Sequence, residues 1–523
     1  MTIGIFQLPA ELHCNIANHL DKEDARSFRL SCKTFHTAGT QTLFSFVRLY
    51  PCEESVARYN SILGNPEINK WVRHVELNTM EKDKVGFFLG NHALRKIPLK
   101  RAKEDEEQGE SPDLSEEFET AFESFPDFTN LNSVALRFAP NATSGNSWGG
   151  LDHWNTWSEW PQDYHFRQPL IQEFFKTLAK PSASKINRIC VDNIQNINDR
   201  DGDFMTSDTV VNVLSRLRAL QLVIITEDHE PSPENNLKMV ELHTFMKELP
   251  SLWLQPAANT LTTLVLYQTF YFGYSPKLDL RDVHFPNLRT LALGNYVFTH
   301  DWQLDWLSSH STLENLYLDD CIVLYFACLL DSPLDEDGYP VIQTFPGAGG
   351  TTRGPATRGY QFIDMTWSKI FTHIRKSLPS LLKFRVGTSP RWNRRGRNAF
   401  DRLDYEQTSI RLNVDRYQMF DGGIGPCQYT DEFTRRESEN CSAVDLFNQR
   451  FNRQQGDPEV INGGDEARRF LGRLKEQEQE DKAALIELLK GIRHPVTEDT
   501  VKIQKPHSYS YDWDSMTEMA TSY

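Results

Sequence analysis

"LTTLVLYQTFYFGYSPKLDLRDVHFPNLRTLALGNYVFTHDWQLDWLSSHSTLENLYLDD", residues 261–320, holds one six-residue pattern three times: LTTLVL at 261, LRTLAL at 288 and LENLYL at 313. A fourth copy, LRALQL, stands at 217. With leucine near a tenth of residues, chance supplies less than about one LxxLxL in a chain of this length. Each copy predicts a short strand whose leucines point inward. Gly294-Asn295 and Asp319-Asp320 follow two of the copies, where the strand must bend away. "DWQLDWLSSHST" (301–312) predicts a return helix. "TWSKIFTHIRKSLPS" (366–380) predicts another, with Trp367, Ile370, Phe371, Ile374 and Leu378 on one face and Pro379 stopping it.

A looser frame, apolar-x-x-apolar-x-apolar, also occurs at 72–77, 131–136, 186–191 and 381–386. Chance supplies on the order of ten such frames, so the all-leucine copies carry the weight. Their spacing from 261 to 318 resembles a degenerate leucine-rich-repeat array. The resemblance implies a solenoid of stacked strands and return segments. An ordinary α/β or mixed domain is the alternative, since spacing before 260 is irregular. The long gaps predict insertions near 100–120, 140–166 and 331–365, and insertions in solenoids bear binding residues.

These insertions differ in chemistry. "KEDEEQGESPDLSEEFE" (103–119) reads as a solvated acidic loop. The stretch 146–166 carries Trp148, Trp154, Trp157 and Trp160 among Gly and polar residues. Trp154, Trp157 and Trp160 are candidate target-binding residues, because aromatic density in a loop suits a binding hot spot. "TFPGAGGTTRGPATRGYQ" (344–361) lacks GxxxxGK[ST] and reads as a Gly/Pro-rich loop. "SPRWNRRGRN" (389–398) adds a basic patch, making Arg391, Trp392, Arg394 and Arg395 candidates for gripping an acidic or phosphorylated target.

Composition narrows the partners. The chain has 523 residues, 39% hydrophobic, and a formal charge of -16, which argues against nucleic-acid backbones and anionic membranes. No apolar run is long enough to span a bilayer, and no basic n-region with an apolar run follows Met1. Eight cysteines form no CxxC pair, so neither a disulfide framework nor a metal site is signalled. The expected location is cytoplasmic or nuclear.

"FQLPAELHCNIANHLDKEDARSFRLSCKTFHTAGTQTLFSF" (6–46) opens the chain differently. Leu12, Ile16 and Leu20 recur at helical spacing behind Pro9. Asp21 suits the N-cap of a second helix, with Phe28 and Leu30 as its apolar side, and Ser31 the cap of a third carrying Phe35, Leu43, Phe44 and Val47. Three short helices of this length have too little core to stand alone and need a partner surface. Leu8-Pro9-x-Glu11-Leu12, Ile16, Leu20, Asp24, Leu30-x-Cys32-Lys33 and Leu43-Phe44 resemble the F-box motif. Ala25 departs from it, where the family carries a larger aliphatic residue.

The resemblance implies docking on a Skp-type adaptor, and through it on the cullin and RING subunits of a ubiquitin ligase. Leu8, Pro9, Leu12, Ile16, Leu20, Leu30, Leu43 and Phe44 are the implied adaptor contacts. The motif at the extreme N-terminus, before an irregular repeat body, is similar to fungal F-box proteins. The expected architecture is α/β: a three-helix F-box (1–50), an irregular leucine-rich-repeat-like solenoid (51–430), a charged helical extension (431–495) that caps it, and a tail of poor order (496–523).

No GxSxG, HExxH, cysteine cluster, dinucleotide fingerprint or kinase signature occurs, so no catalytic residue, metal or cofactor is expected. Two readings stay open: a substrate receptor of a ligase, or a non-catalytic repeat scaffold or regulator without ligase function.

Overall fold

Each six-residue frame becomes a strand, because its fourth and sixth residues fall on one side of an extended chain. The computed structural model describes residues 5–80, 114–139, 162, 164–198, 203–226, 237, 240–330, 334–341, 358–389, 404–413, 415–422, 427–431, 469–470, 472–497 and 503–504. Three helices come first: α1 (Ala10–Asn18), α2 (Lys22–Ser31) and α3 (Lys33–Phe44). Strands β1 (Phe46–Leu49), β2 (His74–Asn78), β3 (Ser133–Arg137) and β4 (Arg188–Gln195) then pair in chain order, all parallel. Strands β5 (Ala219–Ile225), β6 (Thr263–Phe272), β7 (Thr290–Phe298) and β8 (Asn315–Asp319) continue the series. After an excursion through β9 (Ile322–Leu330) and β10 (Arg358–Phe362), β11 (Lys383–Gly387) returns to pair in parallel with β8.

Register is continuous along this row. Fourth-position residues lie side by side from Val47 against Val75 to Leu316 against Phe384, and sixth-position residues do so from Leu49 to Val386. All are buried in one core. The four loose frames are therefore strands too, and the irregular spacing before 260 leaves the register intact because the extra residues fall between strands in the sequence. Phe44-x-x-Val47-x-Leu49 is a further frame that the sequence reading absorbed into a helix, so the sheet starts inside the span assigned to the N-terminal module.

A backbone ladder repeats with it. The second-position carbonyl of each frame accepts the second- and third-position amides of the next. Ser45 O thus takes Arg73 N (2.9 Å) and His74 N (3.0 Å), and the pattern runs on to Glu314 O with Leu382 N and Lys383 N. Asn193 and Asn295, both eighth in their frames, adopt left-handed φ of 60° and 61°. Their Nδ2 groups donate to Phe138 O (2.9 Å) and Gln268 O (2.7 Å), the eighth carbonyls of the preceding frames. Asp320 takes the same place in its frame at φ 53°.

Return helices cover the leucine face. They are α4 (Glu53–Leu63), α5 (Pro66–Asn69), α6 (Glu116–Glu123), α7 (Tyr164–Ala179), α8 (Asp208–Leu214), α9 (Val240–Leu249), α10 (Asp301–Ser308) and α11 (Trp367–Ser377). Thr366 caps α11 by accepting Lys369 N, and Trp367, Ile370, Phe371 and Ile374 are buried along it, as the period predicts. The expected acidic loop is corrected at its end. Ser115 caps α6, Glu116, Glu117 and Glu119 complement the helix N-terminus, and Phe118 is buried. Likewise Tyr164–Phe166, expected in an insertion, open α7.

The far end departs from a plain solenoid. β9 pairs in parallel with the end of β7 and with β13 (Tyr417–Gly422), and antiparallel with β10. β13 pairs antiparallel with β14 (Cys427–Asp431). β10 lies within the expected 331–365 insertion, whose "RGYQF" forms a strand against the apolar run of β9. β12 (Leu412–Asn413) pairs with β15 (Ile503–Gln504), which falls in the span expected to be a poorly ordered tail.

The last helix, α12 (Leu474–Gly491), buries Leu485, Leu488 and Leu489 and packs against α11. Asp481 on α12 is buried. It accepts from Ser368 N (2.9 Å), Tyr417 Oη (3.0 Å), Gln477 Nε2 (3.0 Å) and Arg416 Nε (3.1 Å). No helix among the described residues is long and apolar enough to cross a membrane. The chain is thus an N-terminal helical region followed by a mixed α/β body built on a parallel sheet.

Candidate partner-binding surface

The N-terminal helices close over one aromatic centre. Phe35 of α3 is stacked by Phe28 (4.3 Å) and Phe6 (5.3 Å) and met edge-on by His13 (5.1 Å). His13 is buried, and its Nε2 lies 2.7 Å from Ile5 O, a structural role. Asp21 caps α2, accepting Glu23 N (2.9 Å) and Asp24 N (2.8 Å) as expected. Ser31 does not cap α3. It ends α2, and its Oγ donates to Phe28 O. Small residues set the helix spacing: Ala17, Ala25 and Ala38 are buried, and a Cβ on Gly39 would meet Arg29 Cβ at 2.6 Å. The alanine at 25 is fully buried.

Several large apolar side chains remain outside. Leu30 is 79% exposed, Phe6 66%, Leu12 44% and Ile5 41%, and Pro9 is exposed beside them. Leu8, Ile16, Leu20, Leu43 and Phe44 are half-buried. Leu30 does not share an inward face with Phe28. Two positions on a helix are about 200° apart, so when Phe28 stacks on Phe35, Leu30 points outward. Ile5 and Phe6 precede the Leu8-Pro9 signal, so no motif marks them. Their one trace was two apolar residues standing just before a helix start.

A second surface lies on the side of the sheet away from the helices. Arg48, Glu76, Arg137 and Asp192 form a charge ladder there, with Arg48 Nε 3.4 Å from Glu76 Oε1 and Arg137 Nε 3.5 Å from Asp192 Oδ2. Toward β8 the face turns apolar, with Val223, Val265, Tyr267, Ala292, Tyr317 and Tyr405 clustered. Tyr267 Oη donates to Asp319 Oδ2 (2.9 Å), and Ser389 N to Asp319 Oδ1 (2.6 Å). Trp154, Trp157, Trp160, Arg391, Trp392, Arg394 and Arg395 lie outside the described residues. No group of three or more His, Cys, Asp or Glu that could hold a metal ion occurs among the described residues.

Asp320 sits where β8 turns. Burial, then the neighbouring Asp415 and Asp319 carboxylates, push its pKa up to about 8. The folded chain therefore keeps a proton that the unfolded chain loses near pH 4. The stability it represents is complete in acid and gone above about pH 8. Asp320→Asn, which tolerates the left-handed turn, is expected to melt above the parent at pH 9 and with it at pH 4. Thermal scans at the two pH values decide; an equal difference at both would mean that the carboxyl is not its source.

Residues 5–42 match the F-box domain family model. No curated protein matches the chain. The match takes in α1, α2 and most of α3, the helices that carry the exposed Leu12 and Leu30. The chain therefore carries an F-box domain, in general the Skp-binding element of non-catalytic SCF-type ligase adaptors.

Proposed function

We propose that the chain is the substrate-recognition subunit of an SCF-type cullin–RING ubiquitin ligase. Its F-box docks a Skp-type adaptor, and its body, a leucine-rich-repeat solenoid, holds the target. The observation that carries this reading is the apolar face of the F-box helices, with Leu12 and Leu30 outward and uncovered. The continuous parallel register and the repeated Ser45-to-Glu314 amide ladder support the solenoid part. Such a subunit performs no chemistry. It raises the effective concentration of target lysines beside a ubiquitin-charged enzyme held by the same assembly. The reading carries with it a cytoplasmic or nuclear location, and target contacts from the insertions between the strands.

Co-expression with a Skp-type adaptor tests it. Burying Leu12 and Leu30 contributes about 1.5 to 3 kcal/mol each, so Leu12→Asp with Leu30→Asp is expected to weaken co-purification by about a hundredfold or more. Leu30 is mostly exposed and Leu12 nearly half exposed, so the melting temperature is expected to fall by only a few degrees while the chain stays folded. A parent chain that never retains the adaptor would overturn the reading and leave a repeat scaffold.

A further inference from the structure

We propose that the edge of the sheet where the strands begin is a docking strip for an extended acidic segment of a protein partner, centred on Arg188 and Arg218. The second and third positions of the frames form this edge. From β2 to β11 they hold Arg73, Arg188, Arg218, Arg289 and Lys383 against one acid, Glu314. That basic bias runs against a chain of charge -16.

The far end of the row is occupied. Arg289 Nη1 pairs with Glu314 (2.8 Å) and Lys383 Nζ with Glu406 (3.5 Å). The centre is not. Arg188 is exposed, and its side chain makes no hydrogen bond or ion pair with any described residue, its amide being held by Asn132 O in the ladder. Arg218, also exposed, donates Nη1 to Thr260 O (3.3 Å), and Arg73 donates Nη1 to Asn130 O (3.2 Å), which steadies each guanidinium and leaves further N–H groups outward.

Spacing follows from the backbone ladder, which holds neighbouring strands about 4.8 Å apart. Arg73 on β2 and Arg218 on β5 are three strand steps apart, about 14 Å, the reach of four or five extended residues. A planar guanidinium takes a carboxylate through two parallel hydrogen bonds; with Arg73 and Arg218 at second positions and Arg188 at a third, the arginines flank the edge from its two sides, which suits a segment whose carboxylates alternate across it. Glu314, within the row at its far end, works against a continuous phosphate backbone. This strip belongs to the body, and the proposal is independent of adaptor docking.

The test uses the full chain and a fluorescein-labelled Glu- and Asp-rich peptide, read by anisotropy at low and at physiological salt. The peptide is expected to bind and to weaken with salt. Arg188→Glu with Arg218→Glu is expected to weaken it at least about tenfold. The Leu12→Asp, Leu30→Asp chain is expected to bind like the parent. Should the charge-reversed chain fail to fold, Arg188→Gln with Arg218→Gln gives the same readout. No binding by the parent, unchanged affinity in the arginine variants, or equally tight binding of a single-stranded DNA of the same charge would each overturn the proposal.

Discussion

Alanine in place of Asp481 is expected to release α12 from the body, lowering that helix's opening free energy by about 3–5 kcal/mol. The carboxylate joins three elements: it takes Ser368 N at the start of α11, Tyr417 Oη and Arg416 Nε beside β13, and Gln477 Nε2 one turn back on α12. Burial raises its pKa, with Arg416 and the hydrogen bonds pulling against it. Removing it strands a buried guanidinium, and that uncompensated charge, more than the lost attraction, makes the change severe. Amide exchange across 474–491 is the measurement, because stability here is local. Protection equal to the parent's would refute the account. Asp481→Leu with Arg416→Met, which removes both charges, is expected to recover most of it.

Gly294→Ala is the second large effect, at about 3 kcal/mol. A Cβ there would lie 2.2 Å from Tyr267 Cδ1 and 2.4 Å from Cε1. The tyrosine cannot step aside: its ring is buried among Val265, Ala292 and Tyr317, and its hydroxyl donates to Asp319. Denaturant midpoints of a double-mutant cycle check this. In a Tyr267→Ala background the cost of Gly294→Ala is expected to fall below about 1 kcal/mol. An undiminished cost would mean that the ring is not what opposes the methyl group.

The strands were legible because a buried leucine at the fourth and sixth positions leaves a period-two trace whatever lies between copies. The frame at Phe44 was not. Its Phe-x-x-Val-x-Leu follows a helix whose last apolar residues are Leu43 and Phe44, and the two periods overlap on the same side chains. β10 was hidden for another reason. Its five residues are stabilised by the apolar run of β9, a contact that local composition does not announce. At the F-box the residue types could be read from the motif, yet the outward aim of Leu30 depends on Phe28 finding Phe35. Asp481 was opaque altogether. An acid in "EQEQEDK" reads as a solvated face, and Arg416 stands 65 residues away.

One residue links the F-box helices to the sheet along the chain. α3 ends at Phe44, β1 starts at Phe46, and Ser45 between them holds the amides of Arg73 and His74 as the first rung of the sheet's ladder. No tether separates the helices from the sheet. If the body holds a target as proposed, a protein seated on α1–α3 and that target would be separated by a junction of one residue, whose geometry would set the bearing between them. Delivery between them would be sharply selective in direction: a cargo lysine inside the permitted arc meets a high effective concentration, and one just outside it meets almost none.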